Sequence, residues 1–190
     1  MSGKTMGLFL MALALTGCAT ADSNDTKDPT FGSDVAFLQE HTEVVLLKDA
    51  SGNGQVAVLL TMQGRVMTST AGGSDGSSFG WINRELIASG KTLEHMNPFG
   101  GEDRFWIGPE GGQFSVFFAK GVPFDLEHWQ TPAPIDTEPF VLVSSSQDSA
   151  RLRKKMTLKN YFGTTFDLQV DREVRVLDRA QALEQLGVSL

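Results

Sequence analysis

Between positions 84 and 129 the sequence gathers Arg84, His95, Glu102, Asp103, Arg104, Trp106, Glu110, His128 and Trp129. Side chains of these types suit sugars. Planar hydrogen-bonding groups satisfy pairs of hydroxyls, and aromatic faces cover the apolar C–H surface of a pyranose ring. The densest part is "PFGGEDRFWIGPEGGQ" at 98–113, with two Gly-Gly pairs, acids beside an arginine, and a tryptophan. Glycine costs backbone entropy inside a helix or strand, and charge costs desolvation in a core. The stretch therefore reads as a loop and strand at the mouth of a carbohydrate-sized cleft, where glycine lets backbone amides approach a ligand.

Each residue also has a structural reading. Arg104, between Asp103 and Glu110, suits an ion pair at a loop base as well as it suits a ligand. His95 and His128 suit hydrogen-bonded loop positions. Trp106, alternating with Phe105 and Ile107, suits core packing, whereas Trp129 beside His128, Gln130 and prolines suits a half-exposed platform.

Other chemistries find no motif. The three histidines have no neighbouring His or Cys at ligand spacing, so no metal site is expected. "AGGSDGSSFG" lacks the Gly-Lys-Ser/Thr ending that cradles phosphate, and Ser77 and Ser78 lack a hydrolase elbow. No cofactor is implied. "RLRKK" at 151–155 reads as the solvated face of a strand.

The elements that must position the cluster are mostly strands. "EVVLLK" and "QVAVLLTM" flank the turn "DASGNG", and "GRVMTST" follows. "FWIG", "QFSVFFAK" and "PFVLVSSS" read as further strands. In "FDLQVDREVRV", Phe166, Leu168, Val170, Val174 and Val176 face one way and Asp167, Gln169, Asp171, Glu173 and Arg175 the other, with Arg172 breaking the inward set. Short helices are expected in "DVAFLQEH", capped by Ser33 or Asp34, in "GWINRELIAS", and in "DRAQALEQLG" between Asp178 and Gly187. The fold class is mainly β: an antiparallel β-sandwich with a few short helices. After Gly187 only "VSL" remains. The chain reads either as the N-terminal portion of a longer domain or as a whole one whose last helix packs back on the sheet.

The chain opens "MSGKTMGLFLMALALTGC", one lysine and then an apolar run too short to cross a membrane, which reads as a signal peptide over residues 1–17. Leu15, Thr16, Gly17 and Cys18 resemble the lipobox of bacterial lipoproteins. That resemblance implies cleavage before Cys18, lipidation of Cys18, and an outer-membrane, periplasm-facing location, since Ala19 is not the aspartate of inner-membrane retention. Cys18 is the single cysteine, so no intrachain disulfide exists. Residues 18–33, polar and acidic, read as a flexible tether, and 34–190 as the domain. Removing 1–17 takes away Lys4 and changes the formal charge from −7 to −8, against any nucleic-acid partner. The expected partners are the membrane, through acylated Cys18, and a carbohydrate.

Further along, the order Gly64 and Arg65, Asn83 and Arg84, His95, Gly100 and Gly101, then Trp106 resembles the galactose mutarotase (aldose 1-epimerase) pattern. "GRVMTST", "SFGWIN" and "GGEDRFWIGPEGGQFSVFF" resemble an uncharacterised bacterial lipoprotein family expected to share that supersandwich. The resemblance covers 34–190. It implies that Asn83 and Arg84 hold sugar hydroxyls; Glu102, Arg104, Glu110, His128 and Trp129 join them as ligand-binding candidates by residue type. His95 is the nearest match to the first catalytic histidine, the acid. Phe99 stands where mutarotases place a histidine before the glycine pair, and no residue matches their glutamate base. An epimerase would thus need its base beyond Leu190; a structural lipoprotein without a ligand is the third alternative. For the lipid anchor the expected outcome is direct: Cys18→Ser leaves an unprocessed precursor, read by palmitate labelling and membrane recovery, and unchanged labelling would refute it.

Overall fold

The computed structural model describes residues 28–188. The expected signal peptide, Cys18 and the tether up to residue 27 lie outside the described residues. Two antiparallel three-stranded sheets make up the architecture, β-sandwich-like and mainly β as expected, with three short helices. The first sheet is the meander β1 (Val44–Lys48), β2 (Gln55–Leu59) and β3 (Arg65–Thr70). The second is the meander β4 (Val141–Ser145), β5 (Ser149–Lys159) and β6 (Thr165–Arg175).

The first sheet is covered on both sides, which is why β2 reads as an almost unbroken apolar run. On one side α1 (Phe31–His41) and α2 (Arg84–Ser89) bring Phe31, Val35, Leu38, Leu86 and Ile87 against Ala57, Leu59 and Met67. On the other side Leu47 and Val58 meet Phe140, Ala150, Leu152 and Val176 of the second sheet region. A bulge at the Ala57/Val58 step, with Ala57 opposite Thr68 and Val58 opposite Val66, lets β3 serve both layers.

The helices follow their end signals. α1 starts at Phe31, ahead of the expected Ser33 or Asp34 cap, because Thr30 accepts from the Ser33 amide. That frees Asp34 to turn inward. Asn83 caps α2 and Gly90 ends it in the left-handed region. α3 (Arg179–Leu186) has an Asp178/Gln181 capping box and a Gly187 stop. None of its residues is fully buried.

Two expected strands are absent. "FWIG" and "QFSVFFAK" fall in residues 90–132, which form no helix or strand beyond isolated bridges at Gly100 and Asp103. Their hydrophobicity comes from burial by stacking instead of ladder pairing, a distinction that periodicity alone does not make. β6, in contrast, alternates as expected. Arg172 falls on its inward side because it pairs with the carboxylate of Asp103 from the loop. On the outer face basic residues of β5 meet the acids of β6, Arg151 opposite Glu173 and Arg153 opposite Asp171, whereas Leu152 is buried and Lys154 turns to the other side and pairs with Glu138, so "RLRKK" is solvated only at alternate positions.

The turn between β2 and β3 joins these parts. Gln63 is fully buried with φ +57°, unusual for a residue other than glycine, and Gly64 follows at +61°. A Cβ on Gly64 would lie 2.6 Å from Leu152 Cδ1, so only glycine lets the second sheet approach here. The Gln63 amide donates to the carbonyls of Phe105, at 3.0 Å, and Ile135, and accepts from the Phe105 amide at 3.1 Å. Gln63→Ala strands those groups and is expected to lower stability by about 3 kcal/mol. Urea unfolding measures it; a loss under about 1 kcal/mol would mean that water substitutes for the amide.

Candidate functional site

Residues 90–132 need order without secondary structure, and an aromatic column supplies it. The Arg104 guanidinium lies 4.0 Å from the Trp106 ring centroid. Trp106 stacks on Phe117 at 4.9 Å, and Phe117 on Trp129 at 4.6 Å. Phe118 meets Trp129 edge-on at 5.6 Å and Phe124 at 5.0 Å, and Phe124 meets Tyr161 at 4.6 Å. Such contacts each contribute about 0.5–1.5 kcal/mol beyond area burial. Backbone bonds tie the column down: Gln130 N donates to Phe117 O, Tyr161 N to Ser115 O, and Thr131 N to His95 O.

Two clefts open on either side of the column and share Phe118. One, of about 370 Å³, is walled by Phe124, Leu126 and Trp129, with Glu110 and Asp125 as acceptors. The other, of about 530 Å³, has a floor including Phe117, Phe118 and Val122 and a polar rim of Lys120, Glu127, His128, Gln130, Lys159 and Asn160. Shallow depressions on the outer face of β5 and β6 are lined mainly by strand residues such as Arg151, Arg153, Asp171 and Glu173, already paired with one another.

The expected site residues divide into groups. Glu110, His128 and Trp129 line the two clefts. Glu110 also accepts from Trp106 Nε1 at 2.9 Å, and the Trp129 indole donates to Thr131 at 2.9 Å. His95 adjoins them, with Nδ1 2.7 Å from the Trp129 carbonyl. A carbonyl only accepts, so this bond is made with the proton on Nδ1, the nitrogen that also lies 3.2 Å from Gln130 Nε2. Among the described residues no carboxylate hydrogen-bonds to His95.

The others serve elsewhere. Asn83 spends its carbonyl on the Leu86 amide and its NH₂ on Pro98 O, each at 3.1 Å. Arg84 pairs with buried Asp34 and covers Phe37 at 4.4 Å, clamping α2 to α1. Glu102 accepts from Ser69 Oγ at 2.7 Å. Arg104 pairs with Asp136 at 3.4 Å and donates to Ile135 O, so its structural reading has a partner, though Asp136 and not Asp103 or Glu110. Sequence reasoning missed Phe124, Asp125 and Leu126. Their signal was available in "PFDLEHW", where apolar residues alternate with acids in a proline-flanked loop.

His128 Nδ1 lies 2.6 Å from Asp125 Oδ1, and its backbone amide reaches the same oxygen at 3.0 Å. The side-chain bond is the main reason that the Asp125 carboxyl lies below its usual range. A depressed carboxyl favours the folded loop above the unfolded value of about 3.9, and that preference fades as pH falls through the lower folded one. Carbon-13 titration is expected to place the Asp125 midpoint below the ordinary carboxylate value and to show it rising in His128→Ala; an unmoved midpoint would remove His128 as the cause.

Residues 29–190 match the profile of a family of unknown function, DUF6786, and the chain belongs to that family. No curated protein and no solved structure matches it.

Proposed function

We propose that this member of a family of unknown function is a lipid-anchored envelope lipoprotein whose domain, of mutarotase-like type, binds a sugar or glycan. One observation carries the reading: the cleft at Trp129 combines exposed apolar faces with carboxylate acceptors on a rigid support. Phe124 and Leu126 stand 49% and 76% exposed beside Trp129, Glu110 and Asp125, so that even with Phe124 packed on Phe118 and Tyr161 much apolar surface faces the cleft. Its volume falls in the range of small-ligand sites, roughly 300–1,000 Å³. The column behind it fixes the walls in advance, so binding costs little ordering entropy. The lipobox at 15–18 supports the anchor, with the domain facing the periplasm from the outer membrane.

The epimerase alternative would use His95 as its acid, a ring held beside the cleft by the contact of its Nδ1 with the Trp129 carbonyl.

A glycan array followed by saturation-transfer NMR tests the binding reading. The expected result is a responding glycan whose affinity falls about tenfold, or 1.4 kcal/mol, in Phe124→Ala and Leu126→Ala, with circular dichroism unchanged. Binding undiminished in both variants would move the site away from this cleft. A silent array would refute sugar binding.

A further inference from the structure

Arg65 is the largest fully buried side chain, 1% exposed. One of its terminal nitrogens donates to Gly100 O, while Nε and Nη2 have no partner among the described residues. Arg104 Nε is likewise buried and unpartnered, although its Nη2 reaches Ile135 O and Asp136. These guanidinium groups come from β3 and the loop; Gln63 and Arg104 share the Ile135 carbonyl, and Arg65 lies near enough to Arg104 and Asp136 for both charges to act on it.

The charges in this polar cluster do not balance. Asp136, 2% exposed, is the carboxylate that faces the arginines, and it also accepts from the Asn97 backbone and side chain. Other acids are engaged elsewhere: Glu102 with Ser69, Asp103 with Arg172, Glu138 with Lys154, and buried Asp34 with Arg84. Two guanidiniums against one carboxylate leave an unpaired positive charge in the interior, which costs several kcal/mol. Shedding the proton is no remedy near neutral pH. Burial, and then repulsion by Arg104, pull Arg65 only to about 10.

We propose that Arg65 and Arg104 jointly bind a small inorganic anion of halide size inside the domain. An anion supplies the missing charge and accepts from N–H donors that nothing else reaches. Its size follows from enclosure. The orphaned atoms are sealed from solvent, so only a species small enough to be enclosed with them reaches them. This site is separate from the cleft at Trp129 and stands whether or not that cleft binds sugar.

The experiment compares thermal unfolding of the protein in sodium chloride and in sodium gluconate at equal ionic strength, so that screening is held constant. A site filled in the folded state alone raises the melting temperature with the logarithm of chloride concentration. Gluconate is too large to enter, and Arg65→Met is expected to erase the difference between the salts. Crystals of the wild-type protein grown in bromide decide the matter even if that variant does not fold. An anomalous peak within hydrogen-bond reach of the Arg65 and Arg104 nitrogens establishes the site. Density without anomalous signal there, the mark of an ordered water only, overturns it whatever the melting temperatures do.

Discussion

The amide of Gln63 is the contact on which the rest of this architecture depends. It sits in the tight turn between β2 and β3, in a backbone conformation that favours glycine, and its side chain points into the interior. There it bonds the two segments that have no ladder of their own, at Phe105 and at Ile135. A glutamine is suited to this because one amide offers donors and an acceptor together without a charge to desolvate. Gly64, next to it, admits Leu152 and so fixes how closely the second sheet approaches. The registration of two sheets and one long loop thus converges on two consecutive residues.

From that point the loop is ordered by shape more than by hydrogen-bond periodicity. Once Phe105 is pinned, Trp106 is placed for Arg104 on one face and Phe117 on the other, and Phe117 hands the stack on to Trp129. The rings interdigitate because residues 98–132 mix aromatics with glycine and proline, which turn the chain between them. The column therefore explains both the unusual composition at 98–113 and the rigidity of the clefts flanking it. A loop carrying binding groups on a packed support is a common arrangement for functional sites.

How much of this could be read from residues alone depended on whether the signal was local. Some caps and turns were legible: Asp178, Gly187 and the "DASGNG" turn act through their immediate neighbours. Alternation in β6 was legible because one face is wet, and it even exposed Arg172 as an exception awaiting a partner. "QFSVFFAK" misled because buried aromatics give the same composition whether their backbone pairs in a ladder or turns freely. The roles of Arg84 and Asn83 were hidden for a different reason. Their partners, Asp34 and Pro98, are remote in sequence, and nothing in an Asn-Arg pair distinguishes a helix clamp from a ligand contact.

The placement of charge follows from the same convergence. On the outer face of the second sheet, opposite charges on β5 and β6 meet in water, where each pair contributes little and any one is dispensable. In the interior the situation reverses. Asp136 serves Arg104 and Asn97 at once, and Asn97 in turn holds the Leu93 amide, so this carboxylate fixes the course of the chain on either side of His95. Because His95 is bonded to the Trp129 carbonyl, a disturbance at Asp136 reaches the cleft through two hydrogen bonds and a short length of chain. The polar contacts of Asp136 and the aromatic column are therefore joined through residues 93–97, and the order of the loop behind the cleft rests on both.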